Sequence, residues 1–169
     1  MREAELERLE HISLFEGMTE NQIESVKQVM TTRFFEKGDT IISEGETGDE
    51  LFVLLNGSIA ISKRMTLQSS TGRDQRDKSL IQLKDSDHVF FGEMSLLRNL
   101  ERSATVRALT ETRLGVLTTD QVMKIADEDP QFGYLLFYNI GRTLADHLRR
   151  ANKDILKLTT ALCLALESR

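Results

Sequence analysis

Between Thr31 and Thr118 the apolar residues come in short runs punctuated by glycine, a pattern that suits strands and excludes long helices. Arg33–Glu36 and Thr40–Ser43 flank the turn signal Lys37-Gly38-Asp39. Glu44-Gly45-Glu46-Thr47-Gly48-Asp49 is a second turn. Leu51–Leu55 and Ile59–Lys63 flank Asn56-Gly57, a strong hairpin signal. Within the latter run Ile59, Ile61 and Lys63 share one face, and Ala60 and Ser62 the other. Met65 to Lys78 is polar with no apolar pattern beyond Leu67, and reads as a long exposed hairpin loop. Leu80–Leu83, Val89–Phe91, Arg102–Ala108 and Arg113–Leu117 complete about eight strands. Such a set predicts an antiparallel jelly roll or barrel.

Helical patterns flank this core. Residues 3–30 read as helical, with Leu6, Leu9 and Ile12 as a first stripe and Ile23, Val26, Val29 and Met30 as a second. Thr19 and Gln22 have capping-box spacing. After Thr118, Thr119 or Asp120 can cap a helix carrying Val122, Met123, Ile125 and Ala126. Asp129-Pro130 then places an N-cap before a proline at the first helical position. From Gln131 to Glu167 nothing but glycine weakens the helix, Gly141 costing about 1 kcal/mol. The expected division is 1–30 helical, 31–118 β-barrel core and 119–169 C-terminal helices.

A helix of ~35 residues spans ~50 Å, whereas a compact body of ~125 residues is about 35–40 Å across. Its last turns must project or meet a partner. Leu144, Leu148, Ala151, Ile155, Leu158, Leu162 and Ala165 follow alternating steps of four and three, a heptad seam with Leu148, Ile155 and Leu162 at a. Residues 131–143 are expected to pack on the barrel, and 144–166 to form a homodimer. Cys163 sits in an apolar run and reads as a buried small residue; a single cysteine rules out an internal disulfide.

The segment from Phe91 to Val106 carries the functional signal. Gly92 lets backbone approach a ligand closely. Glu93 can accept a hydrogen bond from a sugar hydroxyl. Met94-Ser95-Leu96-Leu97 reads as one helical turn. Arg102 offers a planar cationic fork to phosphate oxygens, and Ser103 adds a hydroxyl and a backbone N–H. These parts suit a small anionic ligand; a buried Glu93–Arg102 ion pair is the alternative. Ile61, Leu80, Leu83, Phe91 and Met94 are apolar candidates for contact with a base, and equally for plain core.

Phe91, Gly92, Glu93, Ser95, Leu96, Leu97, Arg102, Ser103, Ala104, Thr105 and Val106 closely resemble the phosphate-binding cassette of cyclic nucleotide-binding domains. That family includes the catabolite activator protein of bacteria and the regulatory subunits of protein kinase A. The resemblance covers roughly residues 12–150. It implies an eight-stranded jelly-roll barrel (a double-stranded β-helix) with N-terminal helices and a long C-terminal helix. It implies a cyclic phosphate on Arg102 and Ser103, and a ribose 2′-hydroxyl on Glu93. His147 lies near where relatives place a residue facing the adenine. Ser103 after the cassette arginine favours cAMP over cGMP as ligand. In the catabolite activator branch the long helix forms a parallel dimer seam. One departure stands out: the family usually has Gly-Asp shortly ahead of Phe-Gly-Glu, where this chain has Asp85-Ser86-Asp87-His88-Val89-Phe90.

The rest narrows the class. The chain has 169 residues, 40% of them hydrophobic, and no apolar stretch long enough to span a membrane. Its start is charged and lacks the apolar core of a signal peptide, which predicts a cytoplasmic protein. The net charge of −5, with no basic cluster beyond Arg149-Arg150, argues against nucleic-acid binding. Relatives that regulate transcription carry a winged helix-turn-helix after the long helix. Here the sequence stops at Arg169, so DNA binding in that manner is not expected. His11, His88 and His147 lack metal-ligand spacing, and no catalytic or Walker motif is found. The expected function is reversible sensing of a cyclic nucleotide, with no cofactor and an unidentified protein as downstream partner. The alternative is an assembly domain that kept the barrel and lost ligand regulation, with an enzyme acting on cyclic nucleotides a distant third.

Overall fold

A computed structural model describes residues 7–69, 72–97 and 101–167 of the chain. Leu6 of the first stripe, residues 70–71 and the cassette loop at 98–100 lie outside the described residues, as do the side chains of 64–80. The described residues begin with two short 3-10 turns, Glu7–His11 and Ser13–Phe15, followed by α1 (Glu20–Val29). The strands are β1 (Thr31–Phe35), β2 (Thr40–Ile42), β3 (Glu50–Asn56), β4 (Ser58–Ser69), β5 (Gly72–Lys84), β6 (Phe90–Phe91), β7 (Thr105–Ala108) and β8 (Thr112–Thr118). A single turn, α2 (Met94–Leu97), separates β6 from β7. Helices α3 (Thr119–Glu128) and α4 (Pro130–Glu167) follow.

The strands form two four-stranded antiparallel sheets, ordered β1-β8-β3-β6 and β2-β7-β4-β5. This is the expected jelly roll with flanking helices. Phe52, Leu54, Ile59, Phe91, Val106, Leu114 and Val116 fill the space inside the barrel. On the outer face of the first sheet, Leu51, Val53 and Leu55 pack with Ile23, Val26, Val122, Phe132, Leu136 and Ile140 of the helices. Strand β3 is thus buried on both faces, which explains its unbroken run Leu51-Phe52-Val53-Leu54-Leu55. Truncating one of these leucines to alanine removes packing worth roughly 2–5 kcal/mol.

Several local expectations change. Within the stretch expected to be helical, 3–30, the described residues 7–30 are not continuously helical. Leu9, Ile12, Leu14 and Phe15 are all buried, and an α-helix would turn Leu14 away from Ile12. Tight 3-10 turns with Ile12 extended between them bury all four. Asn56-Gly57 is a real turn, with Gly57 at φ +100°, but no hairpin: β3 and β4 belong to different sheets. The segment 65–78 is no loop. Strands β4 and β5 pair from Ser58↔Lys84 out to Ser69↔Gly72. Pairing of β4 with β7 ends at Ser62↔Thr105, and beyond it the described pairing of β4 is with β5 alone. The cap of α3 is Thr118, one residue early, in a capping box with Gln121. Thr19 caps α1 with Gln22 as expected. Asp129 Oδ1 accepts from the N–H groups of Gln131 and Phe132, capping α4.

Beyond the barrel, α4 is bare. Leu148, Ile155, Leu158 and Leu162 are 60–72% exposed. Cys163 is also exposed, against expectation, because no part of the described chain reaches that far along the helix. Among the described residues no helix is long and apolar enough to cross a membrane.

Candidate functional site

The cassette grows out of the first sheet. Phe91 pairs with Phe52 in register, and the two rings stack with centroids 5.3 Å apart. The turn entering β6 contains His88 in the left-handed region, φ 51° and ψ 50°, where a glycine would be easier to place. His88 also meets the ring of His11, with centroids 5.6 Å apart. Gly92 follows at φ +83°, and a Cβ there would lie 2.8 Å from Glu50 O and 2.9 Å from Arg102 Nη1. Both conformation and space demand glycine.

Helix α2 is a single turn in which Ser95 N–H donates to Gly92 O (3.2 Å) and Leu96 N–H to Glu93 O (3.1 Å). Ser95 is buried, and its Oγ lies 2.6 Å from Gly92 O and 3.2 Å from Glu50 O. Glu93 is buried, and its carboxylate makes no hydrogen bond to another described residue. Among the described residues it forms no ion pair with Arg102, so the alternative of a closed Glu93–Arg102 bridge does not hold.

Arg102 is held twice. Its backbone is bracketed by the turn at residues 44–49: Arg102 N–H donates to Glu46 O (2.8 Å), and Gly45 N–H to Arg102 O (2.9 Å). Its Nη1 donates to Glu50 O at 3.0 Å and to Ser95 Oγ at 3.5 Å. The guanidinium carbon lies 5.7 Å from the centroid of Phe52. Burial pushes the guanidinium below its usual pKa, and the carboxylates of Glu50, Asp49 and Glu93 oppose that shift. An arginine remains charged throughout. Glu50 is itself tied to Arg33, whose Nη1 donates to Glu50 Oε2 at 2.8 Å.

These groups open onto a cleft of about 900 Å³ between barrel and α4. Phe91, Gly92, Glu93, Met94 and Ser95 line it with Arg102, Ser103 and Ala104. Ile61 and Leu83 form the far barrel wall, and His147 of α4 faces in from the helix. All eleven sequence-selected residues therefore meet at one place. Leu80 sits at a bulge, where Ile61↔Ile81 is followed by Ser62↔Ser79, and its side chain lies outside the described set. Sequence reading missed Lys63, Ile81, Asp146 and Arg150, which also line the cleft. Ile81 was recoverable as the cross-strand partner of Ile61; the α4 residues carry no motif. The Glu50 carbonyl has no side-chain signal at all.

Residues 32–129 match the family described as the cyclic nucleotide-binding domain. The CRP-like cAMP-activated global transcriptional regulator of Mycobacterium tuberculosis is 27% identical over 152 residues, covering 90% of this chain and 62% of that protein. The crystal structure of the Thermus thermophilus catabolite activator protein is 26% identical, with a TM-score of 0.70, and covers 87% of this chain and 63% of that one. The regulatory domain of Toxoplasma gondii protein kinase A, solved with cAMP, is 25% identical with a TM-score of 0.62, covering 74% of this chain and 46% of that one. The chain thus spans about three fifths of the length of the curated bacterial relative it matches. With the cassette sequence, the two-sheet barrel and the family match in agreement, the chain belongs to the cyclic nucleotide-binding domain family.

Proposed function

We propose that this domain is a sensor that binds cAMP reversibly in the cleft and leaves it chemically unchanged. In this reading Arg102 and Ser103 take the cyclic phosphate, and Glu93 accepts the ribose 2′-hydroxyl. Ile61, Leu83, Met94 and His147 surround the base. The single observation that carries the reading is a pairing of opposites in one cleft: a half-buried, charged Arg102 and a buried Glu93 carboxylate not consumed by each other. A cyclic nucleotide supplies an anion for the first and a hydroxyl donor for the second. Ser103 favours cAMP over cGMP, by its resemblance to cAMP-binding cassettes.

The cleft is walled on one side by the barrel and on the other by α4. A ligand that touches both walls has different contacts for different positions of α4, which is the requirement for a ligand-driven shift. The exposed stripe through Leu148, Ile155, Leu158 and Leu162 fits a second copy of the chain along the same helix, so the signalling unit is a cytoplasmic homodimer.

Melting the protein with cAMP, cGMP or AMP tests this reading. A ligand at a hundredfold its Kd adds about 2.7 kcal/mol, or about 5–10 °C in Tm for a chain of this size. cAMP should produce that shift, AMP should not, and the nucleotide should be recovered intact. Arg102→Ala should abolish the shift without unfolding the protein. Equal melting of wild type in all three nucleotides would favour an assembly domain without ligand regulation, and turnover of cAMP would make it an enzyme.

A further inference from the structure

Gly48 lies in the turn that brackets the Arg102 backbone, and its own backbone is not left-handed. Nothing in its conformation calls for glycine. Space does. A Cβ built on Gly48 would lie 2.6 Å from Arg102 Nη2, 2.8 Å from Nε and 3.0 Å from Cζ. Non-bonded heavy atoms settle at about 3.5–4.0 Å, so even one methyl group would occupy the place of the guanidinium. Further neighbours of this group are Gly92, the Glu50 carbonyl, Ser95 Oγ and the Phe52 ring. An alanine at Gly92 would strain a left-handed backbone as well as crowd the arginine. At Gly48 the two effects separate.

We propose that Gly48 is a positioning residue for the ligand's phosphate: its bare Cα is one wall of a socket that fixes where the Arg102 guanidinium sits. The turn at residues 44–49 then does two jobs, holding the Arg102 backbone through Gly45 and Glu46 and leaving room for its side chain at Gly48. Because the crowded atoms belong to the far end of a flexible side chain, Gly48→Ala should be relieved by moving that side chain out of the socket rather than by unfolding. The functional consequence rests on the cAMP reading above; the socket itself does not.

The test uses Gly48→Ala in two backgrounds. In ligand-free protein, the Arg102 Nε–Hε resonance should move on Gly48→Ala, since the guanidinium leaves its place beside the Phe52 ring. Tm should change by no more than about 2 °C, the scale of a surface substitution. Calorimetry should show cAMP affinity falling about 10- to 100-fold, as expected when a charged contact is misplaced. In an Arg102→Ala background, adding Gly48→Ala should leave stability and residual binding unchanged, because no side chain remains to displace. An unmoved resonance overturns the socket, and affinity within twofold of wild type overturns its role in binding. Should Gly48→Ala alone fail to fold, the double variant decides: recovery of folding supports the clash with Arg102, and continued unfolding overturns it. If wild type binds no cyclic nucleotide, the functional reading fails, and the resonance still tests the socket.

Discussion

The side-chain amide of Asn139 donates to the backbone carbonyl of Leu14 at 3.0 Å. The same nitrogen donates to Glu16 O at 2.9 Å, and one turn further Arg142 pairs with the Glu16 carboxylate at 2.7 Å. Asn139 is 3% exposed, so this is a dry, satisfied polar contact in an otherwise apolar interface. It ties α4 to the N-terminal segment at the start of the stretch of α4 that lines the cleft, which runs from Asn139 to Ala151. The helix is therefore pinned at one end of the cleft and, among the described residues, bare beyond it.

Replacing Asn139 with leucine keeps the approximate volume and leaves the buried Leu14 carbonyl, and the part-buried Glu16 carbonyl, without this donor. That should cost about 1–3 kcal/mol for the buried Leu14 carbonyl, with less from the wetter Glu16 carbonyl. Urea denaturation should show the loss, and a loss below about 0.5 kcal/mol, within the range of an ordinary surface substitution, would mean that water replaces the amide.

Glu93 can be probed through the ligand. A hydrogen bond to a charged acceptor is worth about 1.5–3 kcal/mol, or roughly 10- to 100-fold in affinity. 2′-Deoxy-cAMP should bind the wild type more weakly by that factor, and Glu93→Gln should narrow the ratio. Equal binding of the two nucleotides by wild type would assign Glu93 another role.

How far the sequence reached follows from where side chains report on structure. The cassette was legible because phosphate and ribose recognition need particular side chains, and Gly92, Glu93, Ser95 and Arg102 do stand together. The start of α4 was legible because Asp129-Pro130 is local chemistry. The β4–β5 ribbon was not: its pairing runs through the backbone, and a polar sequence carries no apolar period to read. Asn56-Gly57 gave the turn but not the destination of the next strand, since a left-handed corner serves a hairpin or a change of sheet alike. Gly48 was read only as turn punctuation because its importance lies in the distant Arg102 side chain.

The seam on α4 has a direct test. Leu148→Asp with Ile155→Asp puts two charges into a surface that, in a dimer, would be dry, where each lacks a partner. Wild type should sediment as a dimer and the double variant as a monomer with unchanged barrel stability. A wild-type monomer across the accessible concentration range would remove the dimer from the proposal.

Asp129 predicts a pH dependence. A side-chain hydrogen bond from Gln22, then a backbone one from Phe132, hold its carboxyl below the usual aspartate value. A carboxylate with a depressed folded-state pKa adds stability that is full above its unfolded value, about 3.9, and is lost as pH falls through the folded value. The Tm gap between wild type and Asp129→Ala should therefore be constant near neutrality and narrow below about pH 4. A gap that stays fixed or widens in acid would show that the charge on Asp129 does not matter to the cap.

Of all the strand pairs in the two sheets, only β4 and β5 are neighbours in sequence. Strand β1 pairs with β8, Thr31 opposite Val116, and β2 with β7. During synthesis the first sheet has no partner for β1 until the last strand has left the ribosome. Until then β3, apolar on both faces, waits uncovered. Early closure is limited to the β4–β5 ribbon, the one part of the barrel that can zip by itself, and every other pairing must bring together distant parts of the chain. The one locally closing pair is then a polar arm rather than the core, whose sheet contacts all wait on chain still to come.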